Sequence, residues 1–161
     1  MKIKEAKEFE KKILDDKWNL IHSKSIIKIL KLLKKEGYSF DLDLLAPLAY
    51  VHDIGKAVSD KDHAIHSLNI LGKKFELNKI EKDCILNHGS SSSPVTPEGE
   101  IFRFADGLSL FTKESVNYFI QVEGIKKTKV ELLKLYGKYK IAYKSNRKIL
   151  EMLEKAYLKK V

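Results

Sequence analysis

The sequence predicts an all-α protein, a single compact helical bundle, on three observations. Apolar residues recur at intervals of three and four along most of the chain. Residues that start and stop helices stand at the ends of those runs. The one segment with a strand-like pattern, residues 116–122, has no second strand to pair with.

Taken in order, Trp18, Ile21, Ile26, Ile29, Leu30 and Leu33 lie on one helical face, and Gly37 follows at a position suited to a C-terminal cap. A second helix is expected over residues 43–53, broken by Gly55. A third starts near Asp60 or Asp62 and carries Ile65, Leu68, Leu71 and Phe75. Asn78 caps a fourth that reaches His88. Residues 89–97 read as a loop, ending in Thr96 and Pro97, a helix start with proline in the first turn. That helix carries Arg103 and Asp106. In the C-terminal part Val130, Leu133, Tyr136, Tyr143, Leu150, Leu153 and Tyr157 fall on one stripe with lysines beside it. There is no internal repeat and no linker long enough to separate domains, so residues 1–161 are expected to form one domain.

Composition narrows the class. An apolar fraction of 43% and a charged fraction of 33% fit a globular chain. No apolar run reaches the roughly 18 residues of a membrane span, and the N-terminus is too charged and acidic for a secretory signal. Cys84, the only cysteine, lies among apolar residues and reads as a buried small hydrophobe. These features fit a reducing cytoplasm. The net charge of +9 is uneven: residues 1–123 hold 19 basic and 19 acidic residues, whereas residues 124–161 hold 12 basic and three acidic ones. A basic segment suits a phosphate-bearing partner. All but two of the basic residues in the chain are lysines, the exceptions being Arg103 and Arg147, and lysine equally serves to solvate a helix face. Nucleic acid is therefore the less favoured partner.

All five histidines, His22, His52, His63, His66 and His88, lie between residues 22 and 88. Histidine with carboxylate is the donor set of a borderline to hard divalent metal. His52 and Asp53 are neighbours, about 100° apart on a helix, so both reach one ion only from a helix end, which Gly55 supplies. Arg103 stands three residues before Asp106, on the same side of a helix, where a surface ion pair is one reading of it.

Five ordered elements carry a resemblance. They are Leu20-Ile21-His22-Ser23, Val51-His52-Asp53-Ile54-Gly55-Lys56-Ala57, Asp62-His63-Ala64, Ile85-Leu86-Asn87-His88-Gly89 and Phe104-Ala105-Asp106-Gly107-Leu108-Ser109. Over residues 18–111 the chain resembles the HD-domain superfamily of metal-dependent phosphohydrolases, in the style of ribonuclease Y and the cyclic-dinucleotide phosphodiesterases. Residues 112–161 form a helical extension, basic from 124.

The resemblance implies one divalent ion on His22, His52, Asp53 and Asp106, and in two-metal members a second on His63 and His88 with Asp53 bridging. The donor types do not choose among Mn, Fe, Co, Ni, Mg and Zn. It further implies a metal-activated water attacking a phosphate ester of a nucleotide or short phosphodiester, with Lys56, and Arg103 if it joins the site, taking up phosphate charge. His66 is read as a neighbour of the site or as structural, not as a ligand. Two departures stand out. Asn87 replaces the first of a common histidine pair, and Ile54 to Ala57 stand where guanosine tetraphosphate hydrolases carry Glu-Asp. No stretch resembles the KH domain of ribonuclease Y. The second reading is a regulatory module that binds a metal or nucleotide without turnover.

Overall fold

The computed structural model describes residues 1–158 as nine α-helices and one 3₁₀ turn, with no strand among those residues. The helices are α1 (Ile3–Ile13), α2 (Lys17–Lys35), α3 (Leu42–Val51), α4 (His63–Gly72), α5 (Lys79–Leu86), α6 (Pro97–Ser109), α7 (Lys113–Glu123), α8 (Ile125–Ala142) and α9 (Arg147–Leu158). The 3₁₀ turn, Ile54–Ala57, links α3 to α4. The all-α bundle expected from the sequence is the fold observed.

Local chemistry sets the helix limits. Asp16 caps α2 by accepting from Asn19 N at 2.8 Å. At the other end Gly37 takes φ 91°, its N–H donates to Lys34 O, and Tyr38 N–H donates to Leu33 O, both at 3.1 Å. That pair of bonds is a Schellman stop, which glycine makes at no steric cost. Asn78 and Glu81 exchange side-chain and backbone bonds at 2.9 Å to open α5. Thr96 accepts from Gly99 N to open α6, with Pro97 behind it. Asp83 of α5 takes Val95 N, Thr96 N and the Thr96 hydroxyl, so the loop is pinned to both helices it joins.

α2 runs through the middle, packed on α3, α6 and α7, while α1 covers α3 and α5 lies between α4 and α6. Ile26, Leu30, Leu33, Leu45, Leu48, Ile85 and Phe102 are fully buried where these helices meet. Each such side chain contributes about 1.5–3 kcal/mol of burial. Cys84 is buried as expected. No described helix is long and apolar enough to cross a membrane.

Three departures from the sequence reading have physical reasons. α1 was not foreseen; it buries Ala6 and Phe9 together with Glu10, whose charge hides the stripe. Residues 116–122 belong to helix α7, started by Thr112 accepting from Ser115 N. The C-terminal stripe divides between α8 and α9 at a turn, where Asn146 Oδ1 accepts from Ile149 N. Val130 and Leu133 face solvent at 49% and 57% exposure, and α8 buries Leu132 and Tyr139 instead, followed by Tyr143.

Glu10 is 4% exposed and accepts the Ser23 hydroxyl at 2.6 Å. Burial pushes its carboxyl up to about 7, against the opposing pull of that hydrogen bond. A folded pKa above the unfolded value gives stability that is full below about 4.5 and lost as pH rises through 7. Glu10→Gln keeps the acceptor and removes the titration. Its stability relative to wild type should rise between pH 5 and pH 8, reaching about 3 kcal/mol, in paired thermal melts. Parallel curves for the two proteins would contradict this.

Candidate metal centre

Six side chains from five elements and the loops beside them meet at one point. His22 comes from the middle of α2. His52 is the C-cap of α3, and Asp53 opens the 3₁₀ turn. His63 is the first residue of α4, His88 lies just beyond α5, and Asp106 is in α6. The helix end at His52 lets two sequence neighbours face one centre, as the spacing argument required. His22 Nε2 lies 3.0 Å from Asp106 Oδ1 and 3.8 Å from Asp53 Oδ2. His52 Nε2 is 3.4 Å from Asp53 Oδ2, while His63 Nε2 and His88 Nε2 are 3.1 and 3.4 Å from Asp53 Oδ1. Two triads, His22–His52–Asp106 and His52–Asp53–His88, have donor atoms close enough to share an ion.

The centre is buried on most sides. His22, His52, Asp53, His88 and Asp106 are all 7% exposed or less. The side chains of Lys56 and His63 are 31% and 27% exposed and form its open side. Lys56 Nζ donates to Asp53 Oδ2 at 2.5 Å, from three residues along the 3₁₀ turn.

Protonation follows from this geometry. Burial holds the His52 imidazole at about 3, so it is neutral despite Asp53 beside it. Burial alone would raise the Asp53 carboxyl, but His52, His63, His88 and Lys56 outweigh it and hold it well below the usual range. Asp106 is likewise lowered, burial being outweighed by His22, His52 and His88. His88 is raised, because Asp53 and Asp106 overcome the effect of its burial.

These donors fit a cation. His52, His63 and His88 each turn Nδ1 to a backbone carbonyl, of Ala49 at 3.1 Å, Asp60 at 2.9 Å and Ile85 at 2.7 Å. A carbonyl only accepts, so Nδ1 carries the proton and a neutral ring presents its Nε2 lone pair inward. His63 Nε2 and His88 Nε2 then face each other at 3.0 Å, an arrangement that needs a shared proton or a cation between them. His52 Nε2 and Asp53 Oδ1 are buried without a hydrogen bond. Buried acceptors left open in this way are costly unless a ligand satisfies them.

His66, not expected as a ligand, is in neither triad. Arg103 is 8% exposed, donates to Ser92 O and pairs with Glu100 at 2.7 Å. Its Nε is buried and unpartnered. Two residues passed over in the sequence reading, Trp18 and Ser109, lie against His22. Trp18 stacks on the ring at 5.3 Å and 14°, and its position four residues earlier on the same helix was the available signal. Ser109 follows Asp106 by one helical turn, and its hydroxyl is fully buried.

No curated protein and no solved structure gives a significant match to the chain. A family model does, that of the HD domain, over residues 19–110, which include all six converging side chains. The chain belongs to the HD-domain family.

Proposed function

We propose that this protein is a metal-dependent phosphohydrolase acting on phosphate esters of a nucleotide or short phosphodiester. The observation that carries the reading is the pair of buried acceptors without partners, His52 Nε2 and Asp53 Oδ1, together with the Nε2 atoms of His63 and His88 opposed at 3.0 Å, beside the cation Lys56. HD domains are in general metal-dependent phosphohydrolases, which agrees with this chemistry. His22, His52, Asp53 and Asp106 would hold one divalent ion. Asp53 would also serve a second, with His63 and His88. Bound ions supply Lewis-acid charge and a more acidic water.

The chain's own residues do the remainder. Asp53 and Asp106, both ionised, give the site the negative charge that draws the cation in. Lys56 is the most exposed of the charged groups at the centre, so a phosphoryl group arriving from the open side meets its ammonium first. Lys56 then exchanges Asp53 for phosphate oxygen. Arg103 would contribute from one helical turn before Asp106, through the guanidinium that now holds Glu100 and the Ser92 carbonyl. The basic C-terminal segment gives little support to a nucleic-acid partner, because Lys127, Lys134, Lys140 and Arg147 are paired with Glu123, Glu131, Glu154 and Glu151.

The test is turnover of generic phosphomonoesters and phosphodiesters with Mn²⁺, Co²⁺, Ni²⁺ or Mg²⁺. We expect hydrolysis with at least one ion, lost on chelation, and a fall of about 10–100-fold in kcat/KM for Lys56→Met. Protein that binds metal but cleaves none of these esters would leave the regulatory module as the better reading.

A further inference from the structure

Four imidazoles turn Nε2 into the centre, and each needs its Nδ1 settled elsewhere. His52, His63 and His88 use the carbonyl three residues earlier, which is reachable because each stands at or just beyond a helix end. His22 has no such choice. It lies inside α2, where carbonyls run along the axis and take the N–H groups of the next turn.

Its Nδ1 instead faces Ser109 Oγ, from the last residue of α6, at 3.1 Å. The serine hydroxyl has one proton, and that proton goes to the Asp106 carbonyl at 2.6 Å. Towards His22 the oxygen can then only accept, so Nδ1 carries the hydrogen and the Nε2 lone pair is left for the centre. Stacking holds the ring plane, with Trp18 parallel to it and His52 inclined at 5.4 Å. Packing alone does not decide which nitrogen is protonated. Ser109 is itself anchored, its carbonyl accepting from Ser115 Oγ at 2.9 Å. Ser115 also bonds Ser25 and Thr112 in a buried hydroxyl cluster between α2 and α7.

We propose that Ser109 is a positioning residue that fixes the tautomer of His22 and so sets the metal affinity of the His22–His52–Asp106 triad. This rests on the metal reading of the centre. Partners of this kind behind a metal-binding histidine typically change affinity by about 10–100-fold.

The experiment titrates Mn²⁺ alone into metal-free protein by calorimetry and follows the melting shift that Mn²⁺ produces, for wild type, Ser109→Ala, Ser109→Cys and Ser25→Ala. Ser25→Ala removes a hydroxyl from the same buried cluster without touching a histidine. Ser109→Ala is expected to bind Mn²⁺ about 10–100-fold more weakly, with a smaller melting shift. Ser109→Cys, which is slightly larger and a poorer acceptor, should fall between it and wild type. Ser25→Ala should bind as wild type does, even where its metal-free melting point drops. Wild-type affinity in Ser109→Ala, or an equal loss in Ser25→Ala, overturns the proposal and leaves the metal reading standing. If Ser109→Ala does not fold, Ser109→Cys decides: unchanged affinity overturns the proposal. A wild-type protein that takes up no Mn²⁺ removes the metal reading itself, and the role of Ser109 with it.

Discussion

Replacing Asp53 with alanine should abolish metal binding and hydrolysis together. Asp53 lies within 4 Å of His22, His52, His63, His88 and Lys56, reaching some through Oδ1 and the others through Oδ2. Without it the His52–Asp53–His88 triad loses its carboxylate, the link from His63 and His88 to His22 is gone, and Lys56 has no anion to hold it at the centre. Hydrolysis should fall by at least ~10³-fold, the scale of a lost metal-dependent step. Metal content of the purified variant should fall with it. His52→Ala should behave alike, since it opens the residue shared by both triads. His66→Ala, three residues from His63 on the same helix, is the control and should keep both properties. Full metal occupancy in Asp53→Ala would show that the site is elsewhere.

Gly55→Ala should cost more stability than any other single-methyl addition near the centre. Gly55 N donates to Ser67 Oγ at 2.8 Å, and its backbone lies directly on the first turn of α4. A Cβ there would fall on the His63 carbonyl oxygen, at 2.5 Å from Ser67 N and 2.8 Å from His66 Cβ. These are mostly main-chain atoms of a helix, which cannot swing aside. α4 must back away, and it carries His63 from Asp53 as it goes. Overpacking of this severity costs about 3 kcal/mol or more, equivalent to a fall in Tm of roughly 6–12 °C at this chain length. Thermal melts of the metal-free proteins measure it, and a Tm within about a degree of wild type would contradict this account of the packing.

Much of the architecture was legible because its signals are local. Gly37, Asn78 and the Thr96–Pro97 pair act within one helical turn, and the structure ends or begins helices at each. Where the signal was ambiguous the reading was too. Val116, Tyr118, Ile120 and Val122 alternate as a strand would, and only packing of Tyr118 and Phe119 against Trp18 shows α7 to be a helix held on α2. In α1 the spacing of Ile3, Ala6, Phe9 and Ile13 was present, but the surrounding charge masked it. The C-terminal stripe was misread because lysines and apolar residues share both faces of α8, which packs on α7 and α9, while Tyr143 just beyond it reaches α6 and donates to the Arg103 carbonyl.

For the centre, the clustered histidines stood out by residue type, and the full ordered set with its aspartates came from the resemblance of the five motifs to the HD-domain superfamily. Their convergence could not be read, being a product of five elements packed together. The ion pair of Lys56 with Asp53, the inward lone pairs fixed by three backbone carbonyls, and Ser109 behind His22 are likewise tertiary facts. No spacing rule encodes which nitrogen of a histidine is free.

The central claim is that six side chains form a divalent-metal centre with room for two ions, and anomalous diffraction from crystals grown in high Mn²⁺ tests it most directly. The account predicts two anomalous peaks inside the cluster, one against His22, His52 and Asp106, the other against His63 and His88, with Asp53 between them. A well-ordered structure with no peak among these residues, or with a single ion and His63 and His88 turned away from it, would contradict it.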